Sequence, residues 1–79
     1  MEWVLYKNGM VCTDRAIGFH SEWTDIKDCL KYKISPLIFK TRREAQEASK
    51  YINDKRYGNW DKCGVRKWGI IKENYKSDL

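Results

Sequence analysis

The stretch EWVLYKNGMVCT, residues 2–13, decides how the chain begins to fold. Asn8-Gly9 lies between two apolar runs. A two-residue type I′ turn needs positive φ at both central positions, which Asn and Gly tolerate best. That loop length fixes a register in which Tyr6 faces Val11 and Leu5 faces Cys12. Side chains alternate along a strand, so Trp3, Leu5 and Cys12 share one face, and Val4 and Tyr6 share the other. The opening is therefore read as an antiparallel hairpin.

Working outward, DRAIGFHSEW reads as a polar loop around Gly18. In WTDIKDCLKYKIS, Thr24 or Asp25 is placed to cap one helical turn carrying Ile26, Cys29 and Leu30. The alternation in LKYKI suits a short third strand, which Pro36 brings to a break. FKTRREAQEASKYIND carries the clearest helix signal. Thr41 and Glu44 form a T-x-x-E capping box, and Ala45, Ala48 and Ile52 fall on one face with Tyr51 beside them. Lys50, Lys55 and Arg56 suit the negative end of the helix dipole, and Gly58 suits a stop. GVRKWGIIKE reads as a final strand, with Val65 and Lys67 alternating with Arg66 and Trp68. The expected fold is α+β: β-β-β-α-β, one antiparallel sheet with a single helix laid across one face.

A chain of 79 residues is expected to form one domain, 1–79. Its 42% hydrophobic and 14% aromatic content is ample for a compact core. The N-terminus lacks the basic region and apolar run of a signal peptide, and no segment is long and apolar enough for a membrane span. A cytoplasmic location without membrane association is expected. Three cysteines, odd in number and widely spaced, read as buried thiols rather than a disulfide framework.

Motifs for chemistry are missing. Cys12, His20, Cys29 and Cys63 lack the close pairs that structural zinc sites use, so no metal site is expected. His20 reads as a loop histidine with nothing beside it to fix its tautomer. Glu22, Asp25 and Asp28 are interleaved with Lys27 and read as a solvated face. Gly58, Gly64 and Gly69 match neither phosphate-loop pattern. The chain is accordingly read as a non-enzyme with no cofactor.

Charge supplies the functional signal. The net charge is +5, and the excess lies in the second half, where ten Lys and Arg face six Asp and Glu. Such a balance favours acidic partners. The stretch 54–69, DKRYGNWDKCGVRKWG, sets five basic residues beside three aromatics. Arg56, Tyr57, Trp60, Arg66 and Lys67 are the candidate binding residues, since Trp, Tyr and Arg are the usual anchors of interface hot spots. The sheet face opposite the helix, with the 55–68 loop, is the expected contact surface. Pairing of GIIK with a second copy leaves a homodimer open.

WTDIKDCLKYK and IFKTRREAQEA together resemble small, mostly uncharacterised proteins of bacteriophages and mobile elements. Those proteins pair an N-terminal hairpin with a W-T-x-D-type segment and an F-x-T-x-x-E-A helix start. Trp23, Thr24, Asp25, Ile26 and Tyr32 carry the first likeness; Phe39, Thr41, Glu44 and Ala45 carry the second. The chain departs in Cys29, where an alanine is common, and in the SPLI insert before Phe39. The resemblance implies an accessory, host-takeover or anti-defence factor acting by binding in the host cytoplasm. Its partner would be a host protein or nucleoprotein complex, with direct nucleic-acid binding through the same patch as the second reading.

Overall fold

The computed structural model describes residues 1–13, 22–54 and 62–76. Strands β1 (Trp3–Lys7) and β2 (Met10–Cys12) form the hairpin, with Tyr6 opposite Val11 and Lys7 opposite Met10. Asn8 has φ 48 and Gly9 φ 76, as the type I′ turn demands. β3 (Trp23–Asp25) and β4 (Gly64–Lys67) complete an antiparallel sheet in the order β3-β2-β1-β4. Among the described residues three helices surround it: α1 (Ile26–Lys31), α2 (Arg42–Asp54) and α3 (Trp68–Lys76). No helix among the described residues is long and apolar enough to cross a membrane.

The α+β class and the four-stranded antiparallel sheet are as the sequence led us to expect. Several elements sit elsewhere. The third strand is Trp23–Asp25, and LKYKI instead holds the end of α1. The helix stops because Lys33 enters the left-handed region at φ 56, which lets the Ile34 amide bond back to the Cys29 carbonyl at 2.9 Å. Asp25 occupies the N-cap position of α1 but makes no side-chain cap bond. The first helical amide, Ile26, already donates to the Gly9 carbonyl at 3.0 Å, so the hairpin turn replaces the cap.

The final strand is also shorter than its apolar pattern suggested. The ladder ends where the Trp68 amide donates to the Glu2 carbonyl at 3.0 Å, and GIIK continues as α3. Trp68, Ile71 and Tyr75 then recur at helical spacing and pack on the sheet.

The larger correction concerns the second face of the sheet. Val4 and Leu5, adjacent in β1, are both fully buried, as are Val11 and Cys12 in β2. Neighbours along a strand point to opposite faces, so both faces must be covered. Leu5 and Cys12 pack with Ala48 and Ile52 of α2 and with Cys63. Val4 and Val11 pack with Ile26 and Cys29 of α1 and Trp68 and Ile71 of α3. The face opposite α2, expected to be open for contact, is closed by two helices.

α2 begins as read from its sequence: the Thr41 hydroxyl accepts the Glu44 amide at 3.2 Å, and the Thr41 carbonyl accepts the Ala45 amide. Arg43 and Glu47, four residues apart on α2, pair at 3.5 Å on a solvated face, where such a pair contributes little. Tyr51, expected on the underside of the helix, is half exposed because Ser49 and Ile52 take the buried positions beside Ala48. Between α1 and α2 the chain runs along the end of β2. The Leu37 amide donates to the Cys12 carbonyl, and Phe39 exchanges both backbone bonds with Trp3.

Candidate functional site

β4 is the last strand of the sheet, and its position follows from a long return that no local pattern could register. Trp3 pairs with Lys67, Val4 with Arg66, Leu5 with Val65 and Tyr6 with Gly64. Paired residues share a face, so Lys67 and Val65 point to the α2 side with Trp3, and Arg66 points to the α3 side with Tyr6. The first turn of α2 brings Arg42 over the same tryptophan. Its guanidinium lies 5.8 Å from the Trp3 ring centre, and the Lys67 ammonium lies 5.5 Å from it. Arg66 stands 5.4 Å from the Tyr6 ring.

These side chains wall a groove of about 510 Å³ that wraps around β4, closed on the far side by Ile70, Asn74 and Tyr75 of α3. Among the described residues its lining carries three cations, Arg42, Arg66 and Lys67, and no carboxylate. Each cation is held over an aromatic face, an attraction of roughly 0.5–1 kcal/mol at an exposed site. The rings thereby hold three positive charges together without neutralising them. A second groove of about 460 Å³ lies between α2 and β4, with Arg42, Lys50 and Lys62 against a single carboxylate, Asp54. Arg42 and Val65 line both grooves, so the two are continuous along the strand.

Of the five residues singled out from the sequence, Arg66 and Lys67 lie in the larger groove. Arg56, Tyr57 and Trp60 fall outside the described residues, as does His20. Trp3, Tyr6, Arg42 and Ile70 were not anticipated. Arg42 was legible in one respect only: the Thr41 cap fixes it in the first turn of α2. Trp3 and Tyr6 had no such signal, because the partner of β1's second edge is more than fifty residues away.

The cysteines take no part in this site. Cys12 and Cys63 belong to the core beneath α2, and Cys29 to the core on the other side of the sheet. All three are buried, and none forms a disulfide. Desolvation, followed by the nearby charges of Asp28 and Asp25, pushes the Cys29 thiol above its ordinary value. A thiol held neutral in this way is a poor nucleophile and a poor metal ligand. Among the described residues no group of three His, Cys, Asp or Glu side chains is placed to hold a metal ion.

Cys63 instead anchors the start of β4 through its backbone. Its amide donates to Asn53 Oδ1 at 3.0 Å, and its carbonyl accepts from Asn53 Nδ2 at 3.1 Å and from Ser49 Oγ at 2.9 Å. The asparagine makes the two bonds that a neighbouring strand residue would make.

No family model, no curated protein and no solved structure matches this chain.

Proposed function

We propose that this chain is a non-enzymatic binding domain that docks an acidic macromolecule in the groove around β4. Trp3 and Tyr6 serve as the rigid platform, and Arg42, Arg66 and Lys67 supply the charge. The observation that carries the reading is the lining itself, which among the described residues sets three cations on two aromatic rings with no acidic residue. Arg43, by contrast, has the Glu47 carboxylate beside it at 3.5 Å. Uncompensated like charges repel one another, and an anionic partner relieves that repulsion while the aromatic bodies supply apolar contact. The host-takeover role in a bacterial cytoplasm, implied by the phage-protein resemblance, belongs to this proposal. A protein partner is the first reading.

Nucleic acid is the second reading, favoured by the alternation of cations and rings, which single-strand binders use for phosphates and bases. Against it, Arg42 and Lys67 both lie over Trp3, so a stacking base would compete with them for the ring.

The test is retention of bacterial lysate components on the immobilised protein, after nuclease treatment, with an Arg42→Ala/Lys67→Ala variant alongside. One protein species retained by the wild-type chain and lost from a folded variant supports the proposal. Equal retention by both removes the groove from consideration. Binding that disappears on nuclease treatment, and whose affinity falls log-linearly with salt, selects the nucleic-acid reading.

A further inference from the structure

The groove surrounds a strand edge, and the ladder geometry shows which backbone groups that edge presents. Trp3 exchanges both backbone bonds with Phe39 on one side of β1, while Glu2 accepts the Trp68 amide on the other. Odd-numbered residues of β1 therefore face β2 and Phe39, and even-numbered ones face β4. Through the pairing of Val4 with Arg66 and Tyr6 with Gly64, those two β4 residues face β1. Val65 and Lys67 turn the other way. β4 ends the sheet, so no described strand lies beyond it. The Lys67 carbonyl opens the hydrogen-bond ladder of α3. What faces outward is the amide and carbonyl of Val65 and the amide of Lys67.

One register position earlier, the same edge is already closed. Cys63 turns its amide and carbonyl outward, and the Asn53 carboxamide satisfies both. That side chain marks where the backbone of an added strand would run. Gly64 sits between the closed and open positions, and a Cβ there would meet nothing within 4 Å. Packing within the chain therefore does not require a glycine, and the bare backbone leaves room for a second one to approach.

We propose that the outer edge of β4 is a strand-addition site, where an extended segment of an acidic protein partner pairs with the backbone of Val65 and Lys67. This rests on the reading of the surrounding groove as a docking surface and names what enters it. Charge complementarity selects the occupant. Alternate side chains of an added strand point to the two flanks. On the α2 flank they meet Arg42, Lys50, Lys62 and Lys67, with Asp54 the one carboxylate among the described residues. On the α3 flank they meet Ile70, which is 53% exposed, and Asn74, while Arg66 on that flank leans inward over the Tyr6 ring of β1. The segment that fits carries acidic residues at alternate positions, with apolar residues between them. A second copy fits poorly, because two chains of net charge +5 would bring their cationic edges together.

The experiment titrates the ¹⁵N-labelled chain with the peptide acetyl-Glu-Val-Glu-Val-Glu-Val-amide, and with the same peptide N-methylated at alternate backbone amides. The expected result is slowed hydrogen exchange at the Val65 and Lys67 amides. Affinity should be at least about tenfold weaker for the methylated peptide in the register whose amides face β4. Val65→Pro removes one outward amide without touching the β1 ladder and should weaken binding similarly, with circular dichroism confirming the fold. Equal binding of both methylated registers and the parent peptide, or shifts at Arg42 and Lys67 side chains without edge protection, overturns strand addition but leaves the cationic groove standing. A (dT)12 oligonucleotide that binds where the peptide does not also overturns it, in favour of nucleic acid. Edge protection in the free chain that grows with its concentration overturns it in favour of a second copy. If neither peptide nor oligonucleotide binds, the groove reading itself fails.

Discussion

Replacing Asn53 by alanine removes both bonds that this carboxamide makes to the Cys63 backbone, at 3.0 and 3.1 Å. The amide is left to water, and the carbonyl keeps Ser49 Oγ at 2.9 Å. Neutral hydrogen bonds contribute about 0.5–1.5 kcal/mol each, so the loss should be about 1–3 kcal/mol. Ser49→Ala should cost about 1 kcal/mol, since the same carbonyl then keeps the asparagine. Making both changes strips the carbonyl of every donor beside a serine position that is only 7% exposed, where water enters poorly. Asn53 Nδ2 also lies 3.5 Å from Ser49 Oγ, so the three groups form one network. The double variant should therefore lose more than the sum of the singles, by about 0.5–2 kcal/mol. Urea denaturation of the four proteins measures this directly. For a chain this small each kcal/mol lowers Tm by about 4–8 °C, so the excess is visible by heating as well. Additivity to within about 0.3–0.5 kcal/mol would mean that the carbonyl does not depend on both donors, and the account of how β4 is anchored would be wrong. Asn53→Asp is a useful control: it keeps the acceptor, loses the donor and sets a carboxylate oxygen against the carbonyl, so it should be no more stable than the alanine variant.

Alanine at two glycines should act with opposite signs. Gly9 has φ 76, where a Cβ costs about 1–2 kcal/mol, although the nearest atom it would meet is the Tyr75 hydroxyl at a harmless 3.9 Å. Gly69, inside α3 with open space around it, should give about 0.5–1 kcal/mol of added stability as alanine; thermal melts that rank the two alike would refute this. The Cys29 thiol sets a pH dependence. Because burial, then Asp28 and Asp25, raise its pKa above the ordinary 9.0, the unfolded chain loses that proton first. The stability that the neutral thiol contributes is complete below pH 9.0 and declines as pH rises past it. The stability advantage of the wild-type chain over Cys29→Ala should accordingly shrink between neutral pH and alkaline pH, and a constant difference would contradict the stated cause.

What the sequence made legible was local. Asn8-Gly9 has one economical turn geometry, and that geometry carries the register and the facing of Val4, Leu5, Tyr6, Val11 and Cys12 with it. Thr41 and Glu44 likewise locate the start of α2 within a residue. What was misread turned on adjacent apolar residues. Trp3-Val4-Leu5 and Met10-Val11-Cys12 are continuous apolar runs, the mark of strands buried on both faces, whereas alternation alone predicts a single buried face. In Ile70-Ile71 the same ambiguity ran the other way: a doublet that suits a strand sits in a helix whose buried positions are Trp68 and Ile71. The pairing of β1 with β4 was beyond local reading, because nothing in a long connection sets where its far end docks. The groove built on that pairing was hidden for the same reason.

The two-faced sheet also explains why the groove lies where it does. β1 and β2 set Val4 against Leu5 and Val11 against Cys12, back to back, so neither helical layer can detach without exposing one fully buried face. At about 25 cal/mol per Å² of apolar surface, uncovering either face would cost several kcal/mol, a large share of the stability of so short a chain. With both faces covered, the described sheet can offer its backbone hydrogen-bonding groups to another molecule only along its two edge strands. Of the two, β3 runs into α1 beside the carboxylates of Asp25 and Asp28, whereas β4 lies between α2 and α3 with Arg42, Arg66 and Lys67 around it. Arg42 comes from one layer, Ile70 and Tyr75 from the other, and Trp3 and Tyr6 from the sheet between them. The groove therefore exists only when both layers are docked. A substitution in either core that loosens one layer should weaken binding in proportion to the fraction of chains left with that layer undocked, even though it touches no groove residue.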